Sequence, residues 1–429
     1  MCAKMLTKTN RNLSIIIKCN LLEVRNAWGY SESRNAFICR LDCAPSRRLH
    51  NHRLPITSRA SGKLIKTNAC PAQTQSQSQF QFQFREICRW ASNICGRFLR
   101  EMHAIEPASS GLATTSYVPC VNYTTGQTSG TDFVERRVAT LVAERTARRQ
   151  FFYGIEVVAL QSGKPTCLDF NRFLPILPTF VSIVWLGTEY CHVNPIDQVK
   201  SLQLARSLEA RIPVLPHITA YCLSQERLDQ FLALNFTNVL PIRGDLVHEI
   251  QNFTYSWEIV DYIRKQQGDN ISICVAGYPE GYTSLPQRQD PAQAMRFLKQ
   301  KIAAGADCII TQMCYRSETI IQFIKDCRSA GITVPIVVGL TVADCFRTYC
   351  MSEHIAGVHL PPEKREELLL IHKEPQRVAQ FFVQLSLRII RDVLDADVGV
   401  YGIQFYTFNK FEPIYELLKE LRTLEILKD

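Results

Sequence analysis

The sequence predicts an α/β fold, a closed (β/α)8 barrel of the TIM type, preceded by a disordered basic N-terminal extension. Three observations predict it. Eight short apolar runs recur between residues 151 and 405, amphipathic stretches of helical period separate them, and helix start and stop residues fall between the two. Strands alternating with helices imply a parallel sheet, and eight such units imply a closed barrel.

The elements follow in order. Residues 1–130 read as a disordered or low-complexity extension: Gln73–Gln83 and Ala108–Gly130 show no stable apolar period. Residues 131–429 read as the barrel domain. Phe133–Gln150 is a charged amphipathic helix with Val134, Val138, Leu141 and Val142 on one side. The strand-like runs are Phe151–Leu160, Phe180–Leu186, Pro213–Thr219, Asn238–Ile242, Ile271–Gly277, Cys308–Thr311, Pro335–Leu340 and Val400–Phe405. They are almost wholly apolar, as strands covered on both faces must be. Ile196–Ala210, Pro291–Ala304 and Glu318–Ser329 are helices between them, with Asp290-Pro291 and Ser317 as starts and Gly305 and Gly331 as stops. Lys410–Glu425 is the last barrel helix.

Charge and cysteine content narrow the function. The formal net charge of +9 divides unevenly: residues 1–100 hold 17 Lys/Arg against 4 Asp/Glu, and the remainder holds 32 against 36. The basic excess belongs to the extension and is by itself a weak case for nucleic-acid binding, so no nucleic-acid partner is expected. No apolar run has the roughly 20 residues of a membrane helix. The 17 cysteines contain no C-x-x-C pair, which argues against a metal site and for reduced thiols in an intracellular protein. We expect a cytoplasmic location; the Arg-rich, acid-poor extension leaves a mitochondrial one open.

In a (β/α)8 barrel the chemistry sits at the C-terminal ends of the strands. That rule selects Glu156, Trp185, His217 with Thr219, Arg243 with Asp245, Tyr278 with Glu280, Gln312 and Tyr406. Acids at apolar strand ends can be desolvated until they hold a proton near neutrality and act as general acids.

Several motifs end β-like runs here: Ala276-Gly277-Tyr278-Pro279-Glu280-Gly281, Gly305-Ala306-Asp307, Ile309-Ile310-Thr311-Gln312 and Phe405-Tyr406-Thr407-Phe408-Asn409. With Gly154-Ile155-Glu156-Val157-Val158 and Arg243-Gly244-Asp245 they resemble the methylenetetrahydrofolate reductase family, a flavin-dependent (β/α)8 barrel. The resemblance spans about 150 to 427 and is strongest from Ser272 to Cys327.

The resemblance implies reduction of methylenetetrahydrofolate to methyltetrahydrofolate with NADH or NADPH through bound FAD. Glu156 matches the family's general acid. Asp245 matches an aspartate that tunes the flavin and helps bind folate, and counts with Glu156 as catalytic. Trp185, His217, Arg243, Gly244, Tyr255, Tyr278, Tyr282 and Lys301 fall at cofactor positions. Gln312, Phe346, Tyr406 and Lys410 fall at folate positions. The departures are Ala159-Leu160 for a Pro-Pro, Val184 for Thr, Tyr282 for His, Ala294 for an Asp that contacts the flavin, and Lys410 for Arg. They motivate an alternative: a catalytically weak or inactive paralogue that acts by binding folate or a partner. The regulatory domain of animal members is not seen after Asp429, so S-adenosylmethionine is expected not to inhibit. The choice of nicotinamide and the presence of a homo-oligomer stay open.

Overall fold

Eight parallel strands close on themselves in a computed structural model that describes residues 121–122, 137–159, 168–244, 246–282 and 290–428. They are β1 (Phe152–Val157), β2 (Phe180–Ile183), β3 (Val214–Thr219), β4 (Asn238–Ile242), β5 (Ser272–Gly277), β6 (Cys308–Met313), β7 (Ile336–Leu340) and β8 (Gly402–Phe405). Neighbours pair in sequence order, and β8 closes the barrel between β7 and β1. Each strand lies within its predicted apolar run, except that β6 continues to Met313. The extension read from residues 1–130 lies outside the described residues apart from Val121–Asn122. That pair joins Leu168–Asp169 in a two-residue parallel ladder, too short to leave an apolar period in the sequence.

Helices wrap the outside. They are α1 (Val138–Ala147), α2 (Lys200–Glu209), α3 (Gln225–Leu232), α4 (Ser256–Gln267), α5 (Pro291–Ala303), α6 (Ser317–Ser329), α7 (Phe346–Ala356), α8 (Pro362–Ile371), α9 (Pro375–Asp395) and α10 (Glu412–Thr423). The predicted punctuation holds at α5: Asp290 Oδ1 caps Gln293 N at 2.7 Å, Pro291 takes the first turn, and Gly305 follows the end with φ +106°. Gly305-Ala306-Asp307 does not end a run, however; it precedes β6. Asp307 there accepts from Arg264 Nη2 at 2.7 Å and from Ile273 N at 2.8 Å, a tie at the strand starts remote from any chemistry.

Period two along each strand sorts the interior into layers. Phe152, Phe180, Leu215, Leu240, Cys274, Cys308 and Val337 form an apolar lower layer. One or two steps up the same faces come Glu156, Ser182, His217, Gln312 and Gln404, which line a cavity. The barrel is thus apolar below and polar above.

Helix α1 closes the lower end. Val138 and Val142 are fully buried in the lower layer. Its first free N–H groups find partners on strand starts: Val138 N donates to Asn238 Oδ1 at 2.7 Å and Ala139 N to Ser272 Oγ at 3.2 Å. Side chains of β4 and β5 therefore supply the cap that Arg137 does not.

Candidate active site

A cavity of about 500 Å3 opens at the C-terminal ends of the strands. Of the residues read from the sequence, Glu156, Trp185, His217, Thr219, Gly244, Tyr278, Tyr282, Gln312 and Tyr406 lie on its wall. Arg243, Tyr255, Lys301, Phe346 and Lys410 do not line it, and Asp245 lies outside the described residues.

Glu156 sits on the inward face of β1, and its backbone is gripped from the turn after β8. Thr407 Oγ1 donates to Glu156 O at 2.6 Å. Asn409 takes both backbone groups of Val158, accepting from its N–H at 3.0 Å and donating to its carbonyl at 2.8 Å. Phe408 and Asn409 adopt positive φ to make that turn, +47° and +58°, a conformation Asn tolerates better than most residues. Enclosure pushes the Glu156 carboxyl up to about 8, because burial disfavours the charged form. At neutral pH the carboxyl carries its proton.

This shift makes a stability prediction. Between about pH 4.5 and pH 8 the folded chain holds a proton on Glu156 that the unfolded chain releases. Wild-type stability from this group is complete below the window and is lost as pH rises through it. The uncharged Glu156→Gln variant lacks that loss. Its melting temperature relative to wild type should therefore climb from pH 5 to pH 9, and a constant difference would show that Glu156 is not desolvated.

Tyr406 stands beside the acid. Burial raises its phenol well above the usual range, and the charges of Glu156 and Tyr278 add to that. Its hydroxyl donates to Thr311 O at 2.7 Å. Gly339 on β7 makes room for the ring: a Cβ there would stand 2.5 Å from Tyr406 Cε2 and 2.2 Å from Thr311 O. Gln312 Oε1 accepts from Met313 N at 2.9 Å, which leaves the amide NH2 to donate.

The ends of β3 and β4 carry polar atoms that lack partners. His217 Nε2, Thr219 Oγ1 and Arg243 Nε are all buried without a hydrogen bond among the described residues. Burial lowers His217 to about 3, so its imidazole is neutral. The Arg243 guanidinium lies 5.8 Å from the Tyr255 ring centroid, and Tyr255 stacks on Phe297 at 5.2 Å. Lys301 works from behind the wall. Its Nζ donates to Ala276 O at 2.7 Å, stands 5.3 Å from the Tyr278 ring, and is lowered to about 8 by burial. Tyr282 meets Tyr278 edge-on at 5.1 Å. Unpaired buried polar atoms are costly unless a ligand completes them, and these fit a large polar cofactor on the β3–β4 side.

Some readings from the sequence take other places. Glu280 forms an ion pair with Arg316 at 2.6 Å and accepts from Cys314 Sγ at 3.5 Å, a loop tie off the cavity wall. Phe346 begins α7 and packs on Tyr349 and His372; Ile355 and Ala356, at the other end of α7, reach the cavity. Lys410 is exposed. Conversely, Ser182, Tyr221 and Gln404 line the cavity without having been singled out. The signal for Gln404 was available: an amide inside an apolar run, two residues before Tyr406 and so on the same face.

The chain matches the family model described as methylenetetrahydrofolate reductase over residues 142–422. It is 28% identical over 295 residues to methylenetetrahydrofolate reductase 2 of Saccharomyces cerevisiae, covering 61% of this chain and 48% of the yeast protein. It is 25% identical over 303 residues to a probable methylenetetrahydrofolate reductase (NADPH) of Caenorhabditis elegans, covering 68% and 44%. A probable methylenetetrahydrofolate reductase (NADH) of Oryza sativa subsp. japonica is 28% identical over 275 residues, covering 59% and 45%. The chain thus spans about half the length of the curated relatives it matches. Among solved structures, an uncharacterized Clostridium thermocellum protein that binds two copies of 5-methyl-5,6,7,8-tetrahydrofolic acid is 14% identical with a TM-score of 0.46, covering 66% of this chain and 99% of that one. The family match takes in all eight barrel strands and every residue of the cavity wall: the chain belongs to the methylenetetrahydrofolate reductase family.

Proposed function

We propose that this chain reduces methylenetetrahydrofolate to methyltetrahydrofolate, with NADH or NADPH as electron donor and FAD as cofactor. The observation that carries the reading is Glu156: a carboxyl on the cavity wall that burial pushes up to about 8. Opening the methylene bridge of the folate requires a proton on a nitrogen, and a desolvated carboxylic acid is suited to give it at neutral pH.

The cavity residues divide by side. On the β3–β4 side, His217 Nε2 and Thr219 Oγ1 are unpaired atoms of wall residues that would hold FAD, and Arg243 Nε is a further unpaired atom of a residue off the wall; Asp245 is proposed as the aspartate that tunes the flavin and helps bind folate. FAD, when bound, supplies the electron transfer between nicotinamide and folate. Lys301 fixes the end of β5 and with it the Tyr278 ring. On the β6–β8 side, Gln312 offers its amide to the pterin edge, and Tyr406 gives a ring held in place by its bond to Thr311 O. Trp185, buried at 4% exposure, bounds the space from β2. Lys410, exposed beyond the β8 turn, would meet the carboxylates of the folate tail.

Flavin titration tests the reading. Tyr282 and Ala294 replace two polar family contacts, and each loss should weaken FAD about ten- to a hundred-fold. We therefore expect sub-stoichiometric flavin in the purified chain, with a bound-flavin absorption spectrum restored by added FAD. A chain that takes up no flavin at excess FAD would contradict the reductase reading and favour a paralogue that acts by binding folate or a partner.

A further inference from the structure

A buried amide beside Glu156 is only half satisfied. Gln404 is 1% exposed on β8 and belongs to the cavity wall. Its Nε2 donates to Ser182 Oγ on β2 at 2.8 Å, reaching across β1. Its Oε1 is buried and has no partner among the described residues. The crossing is allowed by Gly154, the residue of β1 in register with Gln404: a Cβ there would stand 2.6 Å from Oε1. Ser182 is in register with Glu156, which lies two residues above Gly154 on the same inward face. The amide therefore runs under the acid from one neighbouring strand to the other.

A protonated carboxyl needs an acceptor for its O–H, and a buried carbonyl oxygen needs a donor; leaving either unmet is unfavourable. The other titratable groups on this wall are less suited to meet the need. His217 is on β3, with β2 between it and β1. The Tyr406 hydroxyl is committed to Thr311 O. Tyr221 lies beyond β3, Tyr278 and Tyr282 lie beyond β5 across the barrel, and Glu189 is exposed in the one-turn helix after β2.

We propose that Gln404 is a positioning residue for Glu156: its Oε1 accepts, directly or through one water, the hydrogen bond of the protonated carboxyl, while Ser182 holds the amide in place. The inference rests on the reading of Glu156 as the acid. Only a hydrogen bond is formed, and no bond to the proton is broken until the carboxyl gives it to the substrate.

Infrared difference spectroscopy of the full chain between pH 6 and pH 10 tests it without turnover. The band of a protonated carboxyl should disappear as pH rises, and Glu156→Gln should remove that band. Gln404→Leu should move it to higher wavenumber, as expected when the carboxyl loses a hydrogen bond. Gln404→Asn, which keeps an amide but withdraws it, should move it in the same direction and serves if the leucine variant does not fold. A band that stays in place in the folded Gln404 variants overturns the proposal and leaves Glu156 as the acid. If Glu156→Gln removes no band, the acid reading itself fails, and the proposal with it.

Discussion

Glu156→Gln is expected to lower methylenetetrahydrofolate reduction by about 10²- to 10⁴-fold, the usual range for removing a general acid. Oxidation of the nicotinamide by the FAD-loaded chain with an artificial electron acceptor should continue near the wild-type rate. The two halves separate because the substitution keeps size and polarity but removes the proton. Thr407 and Asn409 hold the backbone at Glu156 and Val158 through contacts that the amide does not touch, so the strand end should keep its place. His217, Thr219 and Arg243, the open atoms on the cofactor side, lie on β3 and beyond β4, away from β1. Equal loss in both assays would mean that Glu156 supports the cofactor side, and near-normal folate turnover would mean that the acid is another group.

Removal of α1 should strongly destabilise the barrel domain. Val138 and Val142 are fully buried against Phe152, Phe180 and Leu215. Each valine contributes roughly 1.5–3 kcal/mol by burial, and the bonds to Asn238 and Ser272 add about 1 kcal/mol each. A chain starting at Gln150 should lose roughly 5 kcal/mol or more and melt roughly 10 °C or more lower. A chain starting at Thr131 keeps α1 and loses, among the described residues, only the two-residue ladder of Val121–Asn122, so it should melt cooperatively at the temperature of the full chain. Calorimetry of the two truncations checks this. Equal melting temperatures in both would remove α1 from the account of stability, and a large loss in the longer chain would show that the extension packs on the barrel.

The fold was legible because a parallel barrel buries both faces of every strand. Such strands become apolar runs, and all eight could be located before their pairing was known. The position of α1 was not legible: its valines announce a helix with one buried side, but the partners Asn238 and Ser272 lie on distant strands. The acid was visible because a charge inside an apolar strand demands a reason. The Gln404–Ser182 link was not, since 222 residues separate its ends and only barrel closure brings them together. Chemistry-bearing types alone could not distinguish Glu280 from Glu156. Glu156 lies inside an apolar run and Glu280 just beyond one, yet Arg316 pairs with Glu280 and no cation accounts for the shift of Glu156, whose carboxyl is raised by burial alone. Lys301 and Tyr255 show a further limit of sequence: each matches a cofactor position and neither lines the cavity, Lys301 holding the wall through Ala276 O and Tyr255 lying beside the Arg243 guanidinium.

The central claim is that Glu156 and the β3–β4 pocket together make a folate reductase. The most direct test is to load the purified full chain with FAD, add methylenetetrahydrofolate and either NADH or NADPH without oxygen, and follow methyltetrahydrofolate by mass spectrometry. The account predicts product in step with nicotinamide consumed, with at least one of the two donors, and almost none from Glu156→Gln. Flavin-loaded protein that consumes nicotinamide with an artificial acceptor but forms no methyltetrahydrofolate with either donor would contradict it.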